Sequence, residues 1–552
     1  MDFYSEIISE IKKGKAREIH SLKANLSKKY KIKMPTNIEI LMHADEKDIP
    51  KLKILSGKET RTQSGVVPVA VMTKPSRCPH GKCIMCPGGI KSYFGNVPQS
   101  YTGHEPATMR AIRAKFDSYI QIFNRLEQYV LLGHPIDKIE LIIMGGTFPA
   151  EKKKYQEEFV VGCFKAMNDF SELFFNSNEL NLTKFKEFFE LPRNAQDNER
   201  YSKIQAKIAK FKGKLNLEKE KTRNEIAKAR CIGMTIETRP DWGFAKQGNE
   251  MLKWGCTRVE LGVQTIYDDI LKKIKRGHTI KDTIKSIKEL KDLGFKLNFH
   301  FMIGLPGMSK QKDIFAMKEL FENPNYRPDM LKIYPCMVSK GTVLYNQMKK
   351  GKYEPITTQE AAEIISEGKR FVEKYCRIMR IQRDIPPKFM EAGVDRSNLR
   401  QYVDELLKKK GIKCKCIRCR EHGLLTGKEK VIYHLQKYES SNGKEFFFSA
   451  DTKQDAILGF ARMRYPSSFL RKEITKDSAL IREIHVYGNV VPIGEKGDVQ
   501  HKGIGKQLME LAEKQAEKDG KNKIVVISGV GAREYYRKIG YRPEGPYMVK
   551  KI

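Results

Sequence analysis

Short apolar runs alternate with longer amphipathic stretches between about residues 65 and 335, and this alternation limits the fold more than any other feature of the sequence. The runs are VVPVAVM, KIELIIMGG, CIGMTIETRP, TRVELGVQT, KLNFHFMIGLP and MLKIYP, separated by helical stretches such as IKDTIKSIKELKDLG. Strands that alternate with helices predict βα units and a parallel sheet. We therefore predict an α/β fold with a barrel or partial barrel, whose chemistry lies at the strand ends.

The rest of the chain predicts three further segments around this domain of residues 65–335. Residues 1–64 form a basic arm, and residues 336–440 form a helical connector that contains a cysteine-rich knot. In residues 441–552 the runs FFFSA, AILGFARMRY, LIREIHVYGNVVPI and NKIVVISGV surround an amphipathic helix, which indicates a small α/β domain.

The charge of the chain is strongly positive, with 103 Lys and Arg against 67 Asp and Glu and a net charge of +36. Such a charge predicts a polyanionic partner such as nucleic acid, with an acidic membrane surface as the competing interpretation. Part of the charge could also be solvated surface that reflects adaptation to heat. Because the sequence has neither a membrane-spanning run nor a signal peptide, we expect a soluble cytoplasmic protein.

A loop with three closely spaced cysteines follows the run VVPVAVM. Cys78, Cys83 and Cys86 lie in RCPHGKCIMCPGG, and His80 is the one other metal-binding side chain beside them. A closed zinc site has four ligands, whereas an iron–sulfur cluster held by three thiolates leaves one iron open. The loop resembles the 4Fe–4S loop of radical S-adenosylmethionine (SAM) enzymes, although four residues separate its first two cysteines where most of that superfamily has three.

This resemblance implies that the open iron binds SAM and that one electron cleaves SAM to a deoxyadenosyl radical. Gly145, Gly146 and Thr147 end the next predicted strand, where glycines let the backbone approach a ligand, and they resemble the superfamily's motif for the SAM amino group. By the same resemblance, the SAM-binding candidates at later strand ends are Glu237, Arg239, Gln264 and His300.

A helix entrance in the last segment, QHKGIGKQLMELAEK, predicts a coenzyme A site. Gln500, Gly503 and Gly505 stand where unpaired N–H groups and the helix dipole favour a pyrophosphate. The strand IREIHVYGNVVPI before the helix, and IVVISGV and REYYRKIGY after it, resemble the order found in GNAT acetyltransferases. Tyr535 and Tyr536 would then face the thioester as acid or positioning groups, with ordinary core packing as the alternative.

Several longer strings follow one another in the order of a single family, from about residue 65 to the end of the chain: CPGG, YTGHEPATMRAIRA, MGGTF, TIETRPD, ELGVQT, HFMIGLPG, HVYG, ISGVGAREYYRKIGYR and GPYMVK. The chain resembles the catalytic subunits of Elongator in their archaeal single-chain form. The resemblance implies C5-carboxymethylation of the tRNA wobble uridine, U34. The deoxyadenosyl radical would take hydrogen from the acetyl methyl group of acetyl-CoA, the carbon radical would add to uridine, and thioester hydrolysis would follow.

The same resemblance implies acetyl-CoA contacts on both predicted domains. The basic character of residues 1–64, together with the net charge of +36, predicts that this arm binds tRNA. The sequence does not decide between a homodimer and Elongator-like partner subunits. The implied acetyl-CoA contacts are Lys138, Glu483, Ile484, His485, Val486, Ile504, Gly505, Lys506, Gln507 and Tyr536.

A second cysteine group, Cys414, Cys416 and Cys419, lies in KCKCIRCREHG. Its short spacings favour a structural zinc ion over reactive thiols, and such a site needs a fourth ligand. Cys336 in KIYPCMV is the preferred fourth ligand and would let the zinc join two domains, while His422 is the alternative.

Two other functions compete with tRNA carboxymethylation. A protein lysine acetyltransferase would use the GNAT-like domain without SAM, and the one evident candidate for its general base is Glu483. A non-catalytic tRNA-binding platform would use the iron–sulfur cluster only as structure.

Overall fold

The computed structural model describes most of the chain in two α/β domains and an N-terminal helical unit. The described residues are 2–14, 19–55, 65–176, 179–192, 197–421, 430–487 and 503–552. Within these ranges, every helix is too short or too polar to cross a membrane.

The predicted basic arm folds as a compact helical unit made of α1 (Phe3–Lys12), α2 (Ile19–Tyr30), α3 (Asn37–Met42) and a 3-10 helix (Glu46–Leu55). Asp2 caps α1 by accepting a hydrogen bond from the Ser5 backbone N–H, and Thr36 begins α3 with a capping box. The apolar faces of these helices join the core of the next domain. The basic side chains therefore sit on a folded unit and not on an extended arm.

The next part of the chain alternates strands and helices, as the sequence predicts. Its strands are β1 (Val67–Met72), β2 (Gly89–Ser92), β3 (Gly95–Val97), β4 (Lys138–Met144), β5 (Phe175–Asn176), β6 (Glu179–Leu180), β7 (Arg230–Thr238), β8 (Arg258–Gln264), β9 (Lys296–Ile303), β10 (Met330–Pro335) and β11 (Arg377–Arg380). Its helices are α4 (Pro106–Arg113), α5 (Ser118–Leu131), α6 (Lys153–Phe174), α7 (Leu182–Phe188), α8 (Asn198–Phe211), α9 (Leu217–Ile226), α10 (Ala245–Lys253), α11 (Asp268–Lys273), α12 (Ile280–Asp292), α13 (Lys310–Glu322), α14 (Val343–Lys349) and α15 (Thr358–Gly368).

Seven parallel strands form the first sheet in the order β1-β4-β7-β8-β9-β10-β11. Because all the strands are parallel and in this order, their carboxyl ends and the loops after them lie on one edge. This arrangement confirms the predicted partial barrel. Its last strand, β11, comes from the segment that the sequence assigns to the connector, after which α16 (Leu399–Lys409) and α17 (Ile417–Arg420) follow.

The second sheet also has seven strands, in the order β12-β13-β14-β15-β16-β18-β17. Its elements are β12 (Ile432–Ser440), β13 (Gly443–Asp451), β14 (Ile457–Tyr465), β15 (Ser478–Val486), α18 (Ile504–Lys518), β16 (Lys523–Ile527), α19 (Arg533–Lys538), β17 (Arg542–Glu544) and β18 (Tyr547–Lys551). One face of this sheet packs on α18 through an apolar cluster. The predicted second α/β domain is thereby confirmed.

The other face of the second sheet packs against the first domain through buried charges. Arg482 donates to Asp329 at 2.9 Å and to Glu445 at 3.0 Å, and Arg464 donates to Asp292 at 2.6 Å. All five side chains have at most 1% of their surface exposed. The two domains are therefore held together by an ion-pair network from which water is excluded.

A buried carboxyl supports the loop at the end of β9 and gives a pH prediction. Asp313 Oδ2 accepts the backbone N–H of Gly304 at 2.9 Å, Oδ1 has no partner among the described residues, and burial raises the Asp313 pKa to about 7. Because this folded-state pKa exceeds the unfolded value of 3.8, the free energy of unfolding should fall as the pH rises from about 4 to about 7.

Asp313→Asn keeps the acceptor and removes the buried charge, so we expect it to raise the free energy of unfolding by ~1 kcal/mol at pH 8 and to change it little at pH 4. Urea denaturation at both pH values measures this, with Asp269→Asn on the exposed surface of α11 as the control. An equal effect at the two pH values would show that the Asp313 charge is not the cause.

Candidate active site

The first cysteine loop follows β1 and lies at the carboxyl edge of the first sheet. Cys83 and Cys86 are buried and Cys78 is partly exposed. The backbone N–H of Ile84 donates to the Ile274 carbonyl at 3.1 Å, which ties the loop to the segment after α11. The three sulfur atoms therefore face the strand ends where the sequence predicts chemistry.

The three sulfur atoms of this loop are not grouped closely enough for a single metal ion. A zinc ion holds each thiolate at about 2.3 Å, so its ligand atoms crowd together. The sulfur atoms of Cys78, Cys83 and Cys86 do not all come within 4.8 Å of one another, as those of the second cysteine group do. A wider set suits an iron–sulfur cluster, in which each cysteine binds a different iron.

Polar groups from several distant segments surround the three sulfur atoms. Hydrogen bonds to cluster sulfurs tune the reduction potential of such a site. The contacts are His80 Nε2 to Cys83 at 3.2 Å, Arg276 Nη1 to Cys83 at 3.7 Å, the Ser100 backbone N–H to Cys86 at 3.2 Å and Thr147 Oγ1 to Cys78 at 3.6 Å. Arg276 and Ser100 are absent from the predicted set, although the motif KRGHT after α11 could have drawn attention to Arg276.

The glycines after β4 form a cradle beside the cysteine loop. A Cβ atom on Gly145 would lie 2.4 Å from Thr73 Oγ1, and one on Gly146 would lie 4.0 Å from Cys78 Sγ. Both glycines have positive φ values, +116° and +66°, which side chains disfavour. The predicted GGT motif therefore leaves bare backbone next to the sulfur of Cys78.

The predicted SAM residues at later strand ends gather around the same loop. Arg239 binds Asp241 at 2.9 and 2.6 Å, and its Nη1 has no partner among the described residues. Gln264 Oε1 and Arg276 Nε are also buried without a partner there. Burial and the adjacent Arg276 and Arg239 lower the His278 pKa to about 2, so this ring is neutral. Unsatisfied buried polar atoms suit a polar ligand such as SAM.

Glu237 and His300 lie within β7 and β9, whereas Arg239 follows the end of β7. Glu237 accepts a hydrogen bond from the Tyr101 hydroxyl at 2.9 Å, and His300 Nε2 lies 2.7 Å from Glu260. Lys332 also contacts Glu260. The sequence alone does not identify Glu260 and Lys332. In a strand, a charged residue that alternates with apolar ones is assigned to the solvent-exposed face unless the neighbouring strands are known.

The acetyl-CoA candidates on the second domain line a gap between two parallel strands. β15 pairs with β16 only from Ser478 to Ile481, and the predicted contact residues Glu483, Ile484, His485 and Val486 continue beyond that pairing. The gap opens toward α18, whose N-cap Gly503 has φ +75°. Unpaired N–H groups at this helix entrance suit a pyrophosphate. Gln500 lies outside the described residues.

The tyrosines of α19 stand at the same helix entrance. A Cβ atom on Gly505 would meet the Tyr535 hydroxyl oxygen at 3.3 Å and the Val486 side chain at 3.5 Å. Tyr535 is partly exposed, whereas Tyr536 is buried against it, and burial raises the Tyr536 pKa above its usual range. Ile504, Lys506 and Gln507 lie in the first turn of α18. The structure thus brings the predicted contacts on this domain together.

Lys138 lies at the amino end of β4, on the side of the first domain that meets the second. It pairs with Arg230 in the sheet, and a Cβ atom on Gly531 would lie only 2.5 Å from the Arg230 side chain. A Cβ atom on Gly529 would lie 2.0 Å from the carbonyl oxygen of Ile232. The position of Lys138 is therefore compatible with a ligand shared between the domains.

The second cysteine group comes together between α16 and α17. The sulfur atoms of Cys414, Cys416 and Cys419 lie within 4.8 Å of one another, so one metal ion could contact all three. Hydrogen bonding among the thiols raises the pKa of Cys414 and lowers that of Cys416. Cys336 is not in this group: it is buried in a separate apolar cluster, beside Tyr353. His422 lies outside the described residues.

Comparisons with known proteins agree with this two-part site. Residues 196–317 match the Radical SAM superfamily, residues 328–409 match the Radical_SAM C-terminal domain and residues 423–551 match an acetyltransferase (GNAT) domain. The chain is therefore an enzyme, and its domain families imply SAM, a 4Fe–4S cluster and acetyl-CoA as cofactors and substrates.

Relatives match the chain over nearly its whole length. A tRNA uridine(34) acetyltransferase of Methanocaldococcus jannaschii is 46% identical over 99% of this chain and 96% of that protein. Elongator complex protein 3 of Saccharomyces cerevisiae is 38% identical over 100% of this chain and 95% of that protein. A solved archaeal Elp3 from Methanocaldococcus infernus, lacking its N-terminal residues 1–46, has 40% identity and a TM-score of 0.71, covering 89% of this chain and 100% of that one. The chain belongs to the Elongator complex protein 3 family.

Proposed function

We propose that this enzyme carboxymethylates C5 of the wobble uridine of tRNA, with acetyl-CoA as the carbon source and SAM as the radical source. The observation that carries the proposal is that one chain has a three-thiol loop on one domain and a GNAT-type cleft on another, and that a buried interface holds the two domains together. An acetyl methyl C–H bond is inert to side-chain bases at neutral pH, so a cofactor must supply the chemistry. The name of the Methanocaldococcus jannaschii relative, which specifies tRNA uridine 34, supports the substrate.

When bound, the cluster and SAM would supply the one-electron radical chemistry that an acetyl methyl C–H bond requires. The chain's own residues hold and shield the reactants. Cys78, Cys83 and Cys86 hold the cluster, and the bare backbone of Gly145 and Gly146 leaves room beside it. The strand Glu483–Val486, the first turn of α18, Tyr536 and Lys138 hold the coenzyme, so that its acetyl end points toward the first domain.

The basic charge of the chain serves the RNA partner in this proposal. Lys and Arg contacts to phosphates supply most of the non-specific affinity for nucleic acid, and the net charge of +36 provides many such groups. A wobble base is unpaired before decoding, so it can rotate out of the anticodon loop into an enzyme's active site. The N-terminal helical unit, with its exposed basic residues on α2, is part of the proposed tRNA-binding surface.

Glu483 is a poor candidate for the general base of a lysine acetyltransferase. It accepts a hydrogen bond from Arg462 at 2.8 Å, and Lys296 lies 3.7 Å from it. Although burial alone would raise the Glu483 pKa, Lys296 and Arg462 hold it below its usual value. A carboxylate held in this way takes up a proton weakly, which favours the radical reaction over direct transfer to lysine.

An anaerobic assay tests the proposed function. The enzyme with a reconstituted cluster is incubated with reductant, SAM, acetyl-CoA and tRNA, and the nucleosides are analysed by mass spectrometry. We expect 5-carboxymethyluridine only when all four components are present. Acetylated lysine without SAM would support the acetyltransferase, and bound but unmodified tRNA would support the non-catalytic platform; either result contradicts the proposal.

We further propose that Cys414, Cys416 and Cys419 bind a structural zinc ion. Three thiols within 4.8 Å of one another match the ligand set of such sites. Cys416→Ser should lower the zinc content from about one ion per chain to near zero and lower the melting temperature. Metal analysis of the purified protein measures this. Cys336→Ala is the matched control: retained zinc agrees with its separate position, and zinc loss would identify it as the fourth ligand.

A further inference from the structure

The interior of the first domain carries buried charges where a barrel of this kind ordinarily has branched apolar side chains. The strands β8, β9 and β10 contribute buried or nearly buried Glu260, His300 and Lys332 at neighbouring register positions. Burying charges is costly unless they are paired, so a network of this kind at the centre of a fold calls for an explanation.

Glu260 and His300 form an oriented pair within this network. His300 Nε2 lies 2.7 Å from Glu260 Oε2, while Asn298 donates to Glu260 Oε1 at 3.0 Å. Burial alone would raise the Glu260 pKa, but Lys332, His300 and Arg258 hold it well below its usual value. Glu260 is thus an ionised, fully buried acceptor that fixes the orientation of the His300 ring, and 16% of the His300 side chain remains exposed.

The pair lies close to the predicted cofactor residues. The carboxylate of Glu237 comes within 4.8 Å of the ligand atoms of both Glu260 and His300. Glu237 in turn accepts from Tyr101, whose neighbour Ser100 donates its backbone N–H to Cys86. Three contacts and one peptide bond therefore link the cysteine loop to the Glu260–His300 pair.

The pair is also connected to the side of the domain that faces the acetyl-CoA cleft. Arg258 bonds Glu140 at 2.5 Å and lies 3.9 Å from Glu260. Glu140 is two residues from Lys138 on β4, and its charge acts on His485 of the second domain. The Glu260–His300 pair thus stands between the two halves of the proposed site.

We propose that His300 is the catalytic general base that hydrolyses the thioester after the acetyl carbon has joined uridine, with Glu260 as its positioning residue. This inference rests on the proposed function. The thioester carbonyl carbon is bonded to the carbon that loses hydrogen to the radical, so its hydrolytic base must lie in the same cavity. An oriented imidazole with one nitrogen on a carboxylate is suited to this task.

The hydrolytic step balances without any oxidant or reductant. Glu260 accepts the Nε2–H of His300, and the described residues give Nδ1 no hydrogen-bond partner. Nδ1 can therefore take a proton from a water molecule as the water oxygen attacks the carbonyl carbon. The carbon–sulfur bond then breaks, and the imidazolium returns the proton to the departing sulfur of coenzyme A. The products are a carboxymethyl group on uridine and free coenzyme A thiol.

The same side chains are poorly suited to a metal ion, although Glu237, Glu260 and His300 are close enough for one. Lys332 and Arg258 already neutralise Glu260, and a dication beside two fixed cations would be repelled. A general base needs only the His300 ring held in place by the Glu260 carboxylate, and no additional charge.

A single-turnover experiment tests His300→Gln in the cluster-loaded enzyme with SAM, acetyl-CoA and a tRNA anticodon stem-loop. Three products are counted: deoxyadenosine, free coenzyme A thiol and RNA that carries coenzyme A as a thioester. The wild-type enzyme should release about one thiol for each deoxyadenosine. For each deoxyadenosine that it forms, His300→Gln should release thiol about 100-fold or more slowly than the wild type, so that the RNA thioester accumulates.

A second measurement avoids radical chemistry. A stem-loop carrying the synthetic coenzyme A thioester of 5-carboxymethyluridine is given to the enzyme without SAM, and thiol release is followed over pH 5 to 9. Wild-type hydrolysis should rise through the titration of one group, and Glu260→Gln should shift that titration. His104→Gln is the control and should behave as the wild type, since the ring of His104 stacks on Phe389 and makes no contact with Glu260 or His300 among the described residues.

The outcomes separate the inference from the proposed function. If the wild-type enzyme makes carboxymethyluridine and His300→Gln releases thiol at the wild-type rate, His300 is not the base. If deoxyadenosine and RNA adduct fall together in His300→Gln while the synthetic thioester is hydrolysed normally, His300 serves the cofactor instead. If the wild-type enzyme makes neither carboxymethyluridine nor the RNA thioester, the proposed function itself fails.

Discussion

Cys83→Ala is expected to reduce deoxyadenosine formation to background while leaving the chain folded and able to bind tRNA. The sulfur of Cys83 contacts two polar groups, His80 Nε2 at 3.2 Å and Arg276 Nη1 at 3.7 Å. With two thiolates left, the loop no longer supplies the three ligands of an open 4Fe–4S cluster. Because the electron for SAM cleavage comes from that cluster, the whole radical reaction should stop.

The measurement compares iron content, deoxyadenosine and tRNA affinity in the wild-type and variant enzymes. Cys256→Ala is the matched control, because Cys256 is also buried in the first domain but hydrogen-bonds only to the Met234 and Arg258 backbone carbonyls. The control should keep its iron and its activity. Full uridine modification by Cys83→Ala would show that this loop is not the radical source.

The cysteine loop could be predicted from the sequence because its information is local. Cys78, Cys83 and Cys86 fall within one short loop after a strand, and Gly145 and Gly146 mark the next strand end. The alternation of strands and helices then puts both loops on the same edge of a parallel sheet, whatever the exact register is. For the same reason, the fold class followed from the apolar pattern.

The groups that complete the site could not be predicted in the same way, because they come from distant parts of the chain. Arg276 reaches Cys83 across 193 residues, and Tyr101 reaches Glu237 across 136. The sequence does not distinguish Glu260 from the other acidic residues, because its contact with Asn298 depends on the register between β8 and β9. Such contacts depend on register and side-chain direction, which a single sequence does not contain.

The second cysteine group shows the same limit. Cys414, Cys416 and Cys419 are near in sequence and come together in the structure, but the preferred fourth ligand, Cys336, lies in another cluster. Whether Cys336 can reach these three cysteines depends on which strand end meets the connector. A short spacing predicts a local metal site, whereas a contact between two segments 78 residues or more apart requires the fold itself.

The domain interface was the least predictable part of the fold. In AILGFARMRY, Arg462 and Arg464 alternate with apolar residues, a pattern that is typical of a strand with one solvent-exposed face. Instead, both arginines are buried, because their face of the sheet meets carboxylates of the first domain. Alternation indicates which residues share a face, but not whether that face meets water or a partner domain.

Arg482→Met is accordingly expected to lower the free energy of unfolding by ~3–5 kcal/mol, because it leaves the carboxylates of Asp329 and Glu445 buried without their shared cation. Although burial alone would raise the Asp329 pKa, Arg482, Lys291 and Arg462 hold it below the model-compound value of 3.8. A depressed folded-state pKa adds stability above pH 3.8, and that stability is lost as the pH falls through the folded-state pKa. The variant should therefore lose most at neutral pH.

Guanidinium denaturation at pH 7 and at about pH 3, below the unfolded-state pKa of 3.8, measures this loss, followed by circular dichroism and by the fluorescence of Trp242 and Trp254 in the first domain. Arg542→Met on exposed β17 is the matched control and should change stability by less than about 0.5 kcal/mol. Adding Asp329→Asn to Arg482→Met should cost less than the two single losses together, since it removes one of the stranded charges. Strict additivity, or a loss below about 1 kcal/mol for Arg482→Met, would show that the ion pairs do not hold the domains together.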